Sequence, residues 1–168
     1  GKICYIYIDD IIIFSKDNKT HAENLDKIFK TLEDANIKCQ LDKCEFFKSK
    51  VEFLGFVISD RGVETNPKKI EAIANYPIPK NLKQLRAFLG LSGYYRRFIK
   101  DFAKLAKPLS TLLRGEDGRV SKQQSAKKLI DLNEEAQDAF NKIKNALISN
   151  EVILNYPDPT KEYELTTD

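Results

Sequence analysis

Tyr5-Ile6-Tyr7-Ile8-Asp9-Asp10-Ile11-Ile12-Ile13-Phe14 sets two adjacent carboxylates between two apolar, aromatic-rich runs. Both runs have the Ile and Tyr content of β-strands. Successive side chains of a straight strand point to opposite faces, so neighbouring aspartates within one strand could not serve one ligand. A turn at the pair removes that obstacle and predicts a tight hairpin, strand–Asp-Asp–strand, with the acids at its tip. Unpaired carboxylates are costly to bury, so the pair should meet solvent, a cation or a partner. Hard oxygen donors at such a tip suit Mg2+. Asp is also a common turn former, so a plain polar turn and a metal site both fit this stretch.

Residues 15–19 read as a polar loop, and Thr20-His21-Ala22-Glu23 has capping-box spacing. Ala22, Leu25, Ile28, Phe29, Leu32 and Ala35 recur at helical intervals, predicting an amphipathic helix laid on a sheet. His21 falls in its first turn as a surface residue. Ile37, Cys39 and Leu41 alternate with Lys38, Gln40 and Asp42, a strand pattern. Val51-Glu52-Phe53-Leu54-Gly55-Phe56-Val57-Ile58 reads as a strand pair, closed by Asp60-Arg61-Gly62. Gly55 marks either a bulge or the close approach of another backbone.

At Asn66-Pro67 the character changes. Pro suits the first helical position, and Ile70, Ile73 and Ala74 predict a short helix ending at Tyr76-Pro77-Ile78-Pro79. Asn81 then caps a helix over residues 82–95. Leu82, Leu85, Phe88, Leu89 and Ser92 form its core stripe, and Arg86, Gly90, Gly93, Tyr94 and Arg97 a second one. Each glycine inside a helix costs about 1 kcal/mol relative to Ala. Tight helix packing is one compensation; a nucleic-acid backbone or groove beside Arg and Tyr is the other. Lys80, Lys83, Arg86, Arg96, Arg97, Lys100, Lys104 and Lys107 face only Asp101 between positions 80 and 107, with Tyr94, Tyr95 and Phe98 among them. Such a face is an electrostatic footprint for phosphates.

Residues 103–113 continue as helix with a restart at Pro108, stopped by Arg114-Gly115-Glu116-Asp117-Gly118. Residues 115–132 read as a flexible tether, partly helical at most. Ala136, Phe140, Ile143 and Leu147 mark one more helix, and Val152-Ile153-Leu154 and Tyr163-Glu164-Leu165-Thr166-Thr167 short strands. The 168 residues carry a mild net charge of +3 and no Met, and they begin and end mid-element, as a piece of a longer polypeptide would. Cys4, Cys39 and Cys44 with a single histidine do not make a zinc set, and reduced cysteines in an intracellular protein fit best. No run reads as a membrane span or signal peptide.

Tyr7-Ile8-Asp9-Asp10 resembles the Tyr-x-Asp-Asp box of retroelement reverse transcriptases. Leu41-Asp42-Lys43-Cys44-Glu45-Phe46, Phe53-Leu54-Gly55-Phe56, Leu85-Arg86-Ala87-Phe88-Leu89-Gly90-Leu91, Gly93-Tyr94-Tyr95-Arg96-Arg97-Phe98-Ile99, Ala106-Lys107-Pro108-Leu109 and Leu165-Thr166-Thr167-Asp168 follow in the order and spacing of gypsy-like LTR retrotransposon polyproteins. Each box alone is a weak signal; the ordered series is specific and covers nearly the whole chain.

The resemblance implies an α+β chain. Residues 1–62 would form the C-terminal part of a polymerase palm, an antiparallel sheet plus helix with the Asp-Asp and primer-grip-like hairpins. A helical thumb would follow over 63–114, a tether and connection helix over 115–150, and the start of a ribonuclease-H-like α/β domain over 151–168. Asp9 and Asp10 would be catalytic, joining a third Asp from an earlier strand around two Mg2+ ions, with Mn2+ as the substitute. Tyr7 and Ile8 would contact incoming nucleotide and primer end, Phe53, Leu54, Gly55 and Phe56 the primer terminus, and Arg86, Gly90, Gly93, Tyr94 and Arg97 the template–primer. Asp168 matches the first metal-binding Asp of ribonuclease H, or a connection-domain relic of it. The implied partners are an RNA–DNA or DNA template–primer, deoxynucleoside triphosphates and the rest of the polyprotein (fingers, ribonuclease H, integrase), with no membrane. The implied setting is a cytoplasmic virus-like particle or the nucleus. The third Asp and the fingers would precede residue 1, and further ribonuclease H carboxylates would follow residue 168, so the fragment is expected to be inactive alone. A different reading is a non-catalytic nucleic-acid-binding module derived from a retroelement.

Overall fold

A computed structural model describes residues 3–114, 122–149, 153–156, 158 and 160–162. Asp168, the expected strand at 163–167 and residues 115–121 of the expected tether lie outside them. The chain is α+β and divides into two units, Gly1–Asp60 and Arg61–Asp168.

In the first unit β1 (Cys4–Tyr7) and β2 (Asp10–Ile13) pair antiparallel, Cys4 opposite Ile13 and Tyr7 opposite Asp10. The Phe14 N–H extends the ladder to the Ile3 carbonyl at 3.1 Å. Helix α1 (Asn18–Asp34) begins earlier than the capping-box spacing suggested. Asp17, in extended backbone, is its cap: the carboxylate accepts the Thr20 N–H at 2.8 Å and the Thr20 hydroxyl at 2.9 Å. Those bonds hold the Asp17 carboxyl below the ordinary range, the backbone bond foremost. The apolar stripe of α1 is only half-covered among the described residues, and its one buried residue is Asn24. Residues 37–40 form no strand, and Leu41–Lys43 make a 3₁₀ turn. Alternation is present there, but a strand also needs a partner ladder, and Ile37 and Leu41 stand exposed. Strands β3 (Lys50–Phe53) and β4 (Phe56–Ser59) form the second hairpin, with Lys50 opposite Ser59 and Phe53 opposite Phe56.

The second unit opens with β5 (Gly62–Thr65) and α2 (Pro67–Ala74). Pro67 sits at the first helical turn, and the Asn66 side chain accepts the Lys68 N–H at 3.0 Å. Helix α3 (Leu82–Tyr94) is capped by Asn81, whose side chain accepts the Gln84 N–H at 2.9 Å. Helix α4 (Phe102–Arg114) runs through Pro108 without the expected restart. An interior Pro removes a backbone bond and is costly. Packing along α6 (Glu134–Ser149), with Ala106 and Leu109 buried, holds the helix together. Leu82, Leu85, Phe88 and Ser92 of α3 and Ala136, Phe140, Ile143 and Leu147 of α6 are buried as their spacing predicts. The Phe88 and Phe140 rings sit 4.4 Å apart, and Tyr76 lies 5.5 Å from Phe88.

Part of the expected tether is docked. Helix α5 (Lys122–Lys127) packs against α3. The Leu82 N–H donates to the Lys128 carbonyl at 3.2 Å, and the Ile130 N–H to the Lys80 carbonyl at 3.1 Å. Beyond α6 the chain returns to β5, where Val63 and Leu154 exchange both backbone bonds at 2.9 Å. Gly62 beside them has φ +131°, and a Cβ there would meet the Leu154 carbonyl oxygen at 2.5 Å.

Candidate active site

The turn between β1 and β2 is Ile8-Asp9, one residue earlier than the sequence suggested. Asp10 is the first residue of β2, opposite Tyr7. Ile8 has φ +57°. A positive φ at the first turn position matches a type II′ turn, where Gly is usual and a β-branched residue is an outlier. Asp9 lies in the turn rather than in a strand, so the alternation rule does not separate it from Asp10. Both carboxylates are exposed, and Ile8 is 83% exposed.

The chemistry of this pair suits a hard divalent cation. Mg2+ is commonly held by one or two carboxylates, with waters and phosphates completing the shell. No group of three or more His, Cys, Asp or Glu converges among the described residues. Asp9 and Asp10 therefore fit as a partial donor set.

The second hairpin turns at Leu54-Gly55, with φ +49° and +72°. Two positive φ values between the paired Phe53 and Phe56 make a type I′ turn. Gly55 is thus a turn residue and not a bulge, because the ladder keeps one-to-one register.

In the second unit, the two glycines of α3 face open space. An added Cβ at Gly90 or Gly93 meets no heavy atom within 4 Å. Internal helix packing therefore does not account for them among the described residues. Tyr94 beside them is 52% exposed, its ring edge-on to the buried Tyr95 at 5.0 Å. Burial pushes the Tyr95 phenol pKa upward, with Tyr94 adding to the effect. Arg97 lies past the helix in the 3₁₀ turn Arg96–Phe98 and is exposed, as are Arg96 and Lys100. Arg86 is different: it is half-buried, and its guanidinium donates to the hydroxyl of Ser125 on α5. Sequence reasoning missed Ser125, because its stretch lacks strong periodicity.

The family described as "Reverse transcriptase (RNA-dependent DNA polymerase)" matches residues 1–58. Over all 168 residues the chain is 48% identical to the retrovirus-related Pol polyprotein from transposon gypsy of Drosophila melanogaster, and 46% to that from transposon opus. Residues 1–58 thus match the reverse transcriptase family, and the whole chain is similar to one segment of gypsy-like Pol polyproteins. This segment spans 16% and 17% of the length of those two relatives. Among solved structures, it is similar to foamy viral protease-reverse transcriptase in complex with dsDNA, with TM-score 0.78 and 28% identity over 94% of this chain and 31% of that one. The same foamy viral protein in complex with RNA/DNA hybrid gives TM-score 0.72 and 28% identity over 86% of this chain and 19% of that one. The Asp-Asp hairpin and the Leu54-Gly55 turn belong to the first unit, within the matched residues, and the open glycine face to the second.

Proposed function

We propose that this segment supplies an RNA-directed DNA polymerase with two metal-binding palm carboxylates, a primer-positioning hairpin and a template–primer-binding thumb. The observation that carries the reading is the exposed Asp9-Asp10 pair at a strained hairpin tip, inside the residues that match this family. Asp9 and Asp10 would hold Mg2+ in concert with a carboxylate from elsewhere in the polymerase. When bound, the metal favours in-line attack by the primer 3′-hydroxyl and stabilises the pyrophosphate leaving group. Ile8 and Tyr7 border the pair and would meet the nucleotide and primer end. The half-buried Leu54-Gly55 turn would position the primer terminus with its backbone. Gly90 and Gly93 let a duplex approach the backbone of α3, with Tyr94 beside them and Arg97 after the helix. That solved relatives carry dsDNA and RNA/DNA hybrid supports a duplex as the partner. Asp168, outside the described residues, would be the first metal carboxylate of ribonuclease H.

Asp9→Asn and Asp10→Asn in the full-length protein test the metal role. Each should abolish primer extension and spare template–primer binding. Undiminished synthesis in either variant refutes it and leaves the duplex-binding module.

A further inference from the structure

Helix α1 holds β2 through a polar clamp. Ser15 follows the last ladder bond of β2, which Phe14 makes. The Asn24 side-chain amide donates to the Ser15 hydroxyl oxygen at 2.8 Å. The His21 Nδ1 lies 3.3 Å from the same oxygen. With Ser15 accepting from Asn24, its own proton can go to Nδ1, which places the His21 proton on Nε2. The His21 ring stands edge-on to Phe47 with centroids 5.1 Å apart. His21 is accordingly half-buried, not the plain surface residue its position suggested.

The burial pattern gives this cluster its weight. Asn24 is 4% exposed and is the one buried residue of the seventeen in α1. Burying an amide costs free energy unless it is hydrogen-bonded, whereas an apolar residue could fill the same space without that demand. Apolar cover of the hairpin is thin among the described residues: Tyr5, Ile6 and Tyr7 are each more than half exposed. A satisfied buried polar contact fixes one arrangement where loose apolar packing permits several.

We infer that Asn24 and His21 are positioning residues that set the direction of β2, and so the location of Asp10, by clamping Ser15. The inference rests on the polymerase reading. Asp10 and Ser15 are separated by about 17 Å of extended strand at roughly 3.4 Å per residue. A rotation of about 3–4° at Ser15 would displace the carboxylate by about 1 Å, and such a displacement can cost a hundredfold in rate.

The test uses Ser15→Ala, Asn24→Ala and Ser15→Thr in the full-length protein, with Asp9→Asn as control. Single-nucleotide incorporation gives kcat and KM, and hydrogen exchange of the whole protein reports the Ile12 and Phe14 amides, which donate to β1. The inference predicts that Ser15→Ala and Asn24→Ala each lower kcat about tenfold to a hundredfold. KM for nucleotide and duplex affinity stay as in wild type, and exchange of the β2 amides quickens. Ser15→Thr keeps the hydroxyl and restores both readouts. Wild-type kcat in Ser15→Ala, or a loss that Ser15→Thr does not recover, overturns the clamp. If Asp9→Asn abolishes synthesis while Ser15→Ala is silent, only the clamp fails. If Asp9→Asn is itself silent, the polymerase reading fails first and the clamp's catalytic role falls with it.

Discussion

The guanidinium of Arg86 on α3 donates a hydrogen bond to the buried hydroxyl of Ser125 on α5, 39 residues further along the chain. This bond ties a short helix to the face of α3 that also carries the open glycines. It gives Arg86 a structural task beside any contact with a duplex. Arg86→Ala should lower the melting stability of the second unit by about 1–3 kcal/mol, the cost of a lost charge-assisted bond. Ser125→Ala should cost less, and the double variant should be less destabilised than the two singles added together. A thermal melt of the four proteins checks this; strict additivity would show that the two side chains do not act as a pair.

Gly90 is expected to separate stability from binding. Its position is exposed, and a Cβ meets nothing within 4 Å. Gly90→Ala should therefore raise stability by about 1 kcal/mol through helix propensity. On the proposed function Gly90→Leu should weaken duplex binding without unfolding the second unit. Melting curves and duplex titrations on the same samples decide it. A loss of stability with unchanged binding would return the glycine to a packing role.

Gly62 should tolerate nothing larger. Its φ of +131° and the 2.5 Å approach of a built Cβ to the Leu154 carbonyl oxygen both oppose a side chain. Gly62→Ala should destabilise the second unit by about 2–4 kcal/mol, combining backbone strain with loss of the Val63–Leu154 bonds. Hydrogen exchange should quicken at the Val63 and Leu154 amides. Protected amides at both positions in the variant would contradict this.

Ile8 pays for its turn with backbone strain. It is 83% exposed at φ +57°, so replacement by Asn forfeits little burial and relieves a left-handed β-branched residue. Ile8→Asn should stabilise the hairpin by about 1 kcal/mol. On the proposed function it should also reduce nucleotide incorporation, because Ile8 borders Asp9 and Asp10. A variant with unchanged hairpin stability, followed by hydrogen exchange at Tyr5 and Ile12, would refute the strain.

Local chemistry was legible in the sequence, and long-range chemistry was not. The stripe Leu82, Leu85, Phe88 and Ser92 follows from helical periodicity, and Asn66-Pro67 and Asn81 mark helix starts because side-chain caps act within three residues. The hairpins were legible as hairpins, but the first turn was placed one residue late. Propensity argues against Ile8 at positive φ, and cross-strand register overrides it. Residues 37–41 show alternation without a ladder, since a pattern cannot supply a partner strand. The Tyr156 hydroxyl donates to the Gly62 carbonyl across 94 residues, and no local rule points to that contact. The second glycine stripe was visible, but its open face required the structure to distinguish it from packing.

Binding of this chain to an RNA–DNA hybrid across a salt series tests the central claim most directly. The account predicts binding whose logarithm falls linearly and steeply with the logarithm of salt, as basic side chains beside the glycine-bearing face release the cations condensed on the phosphates. No binding at low salt by a chain whose melting curve shows a folded second unit, or binding insensitive to salt, would contradict it.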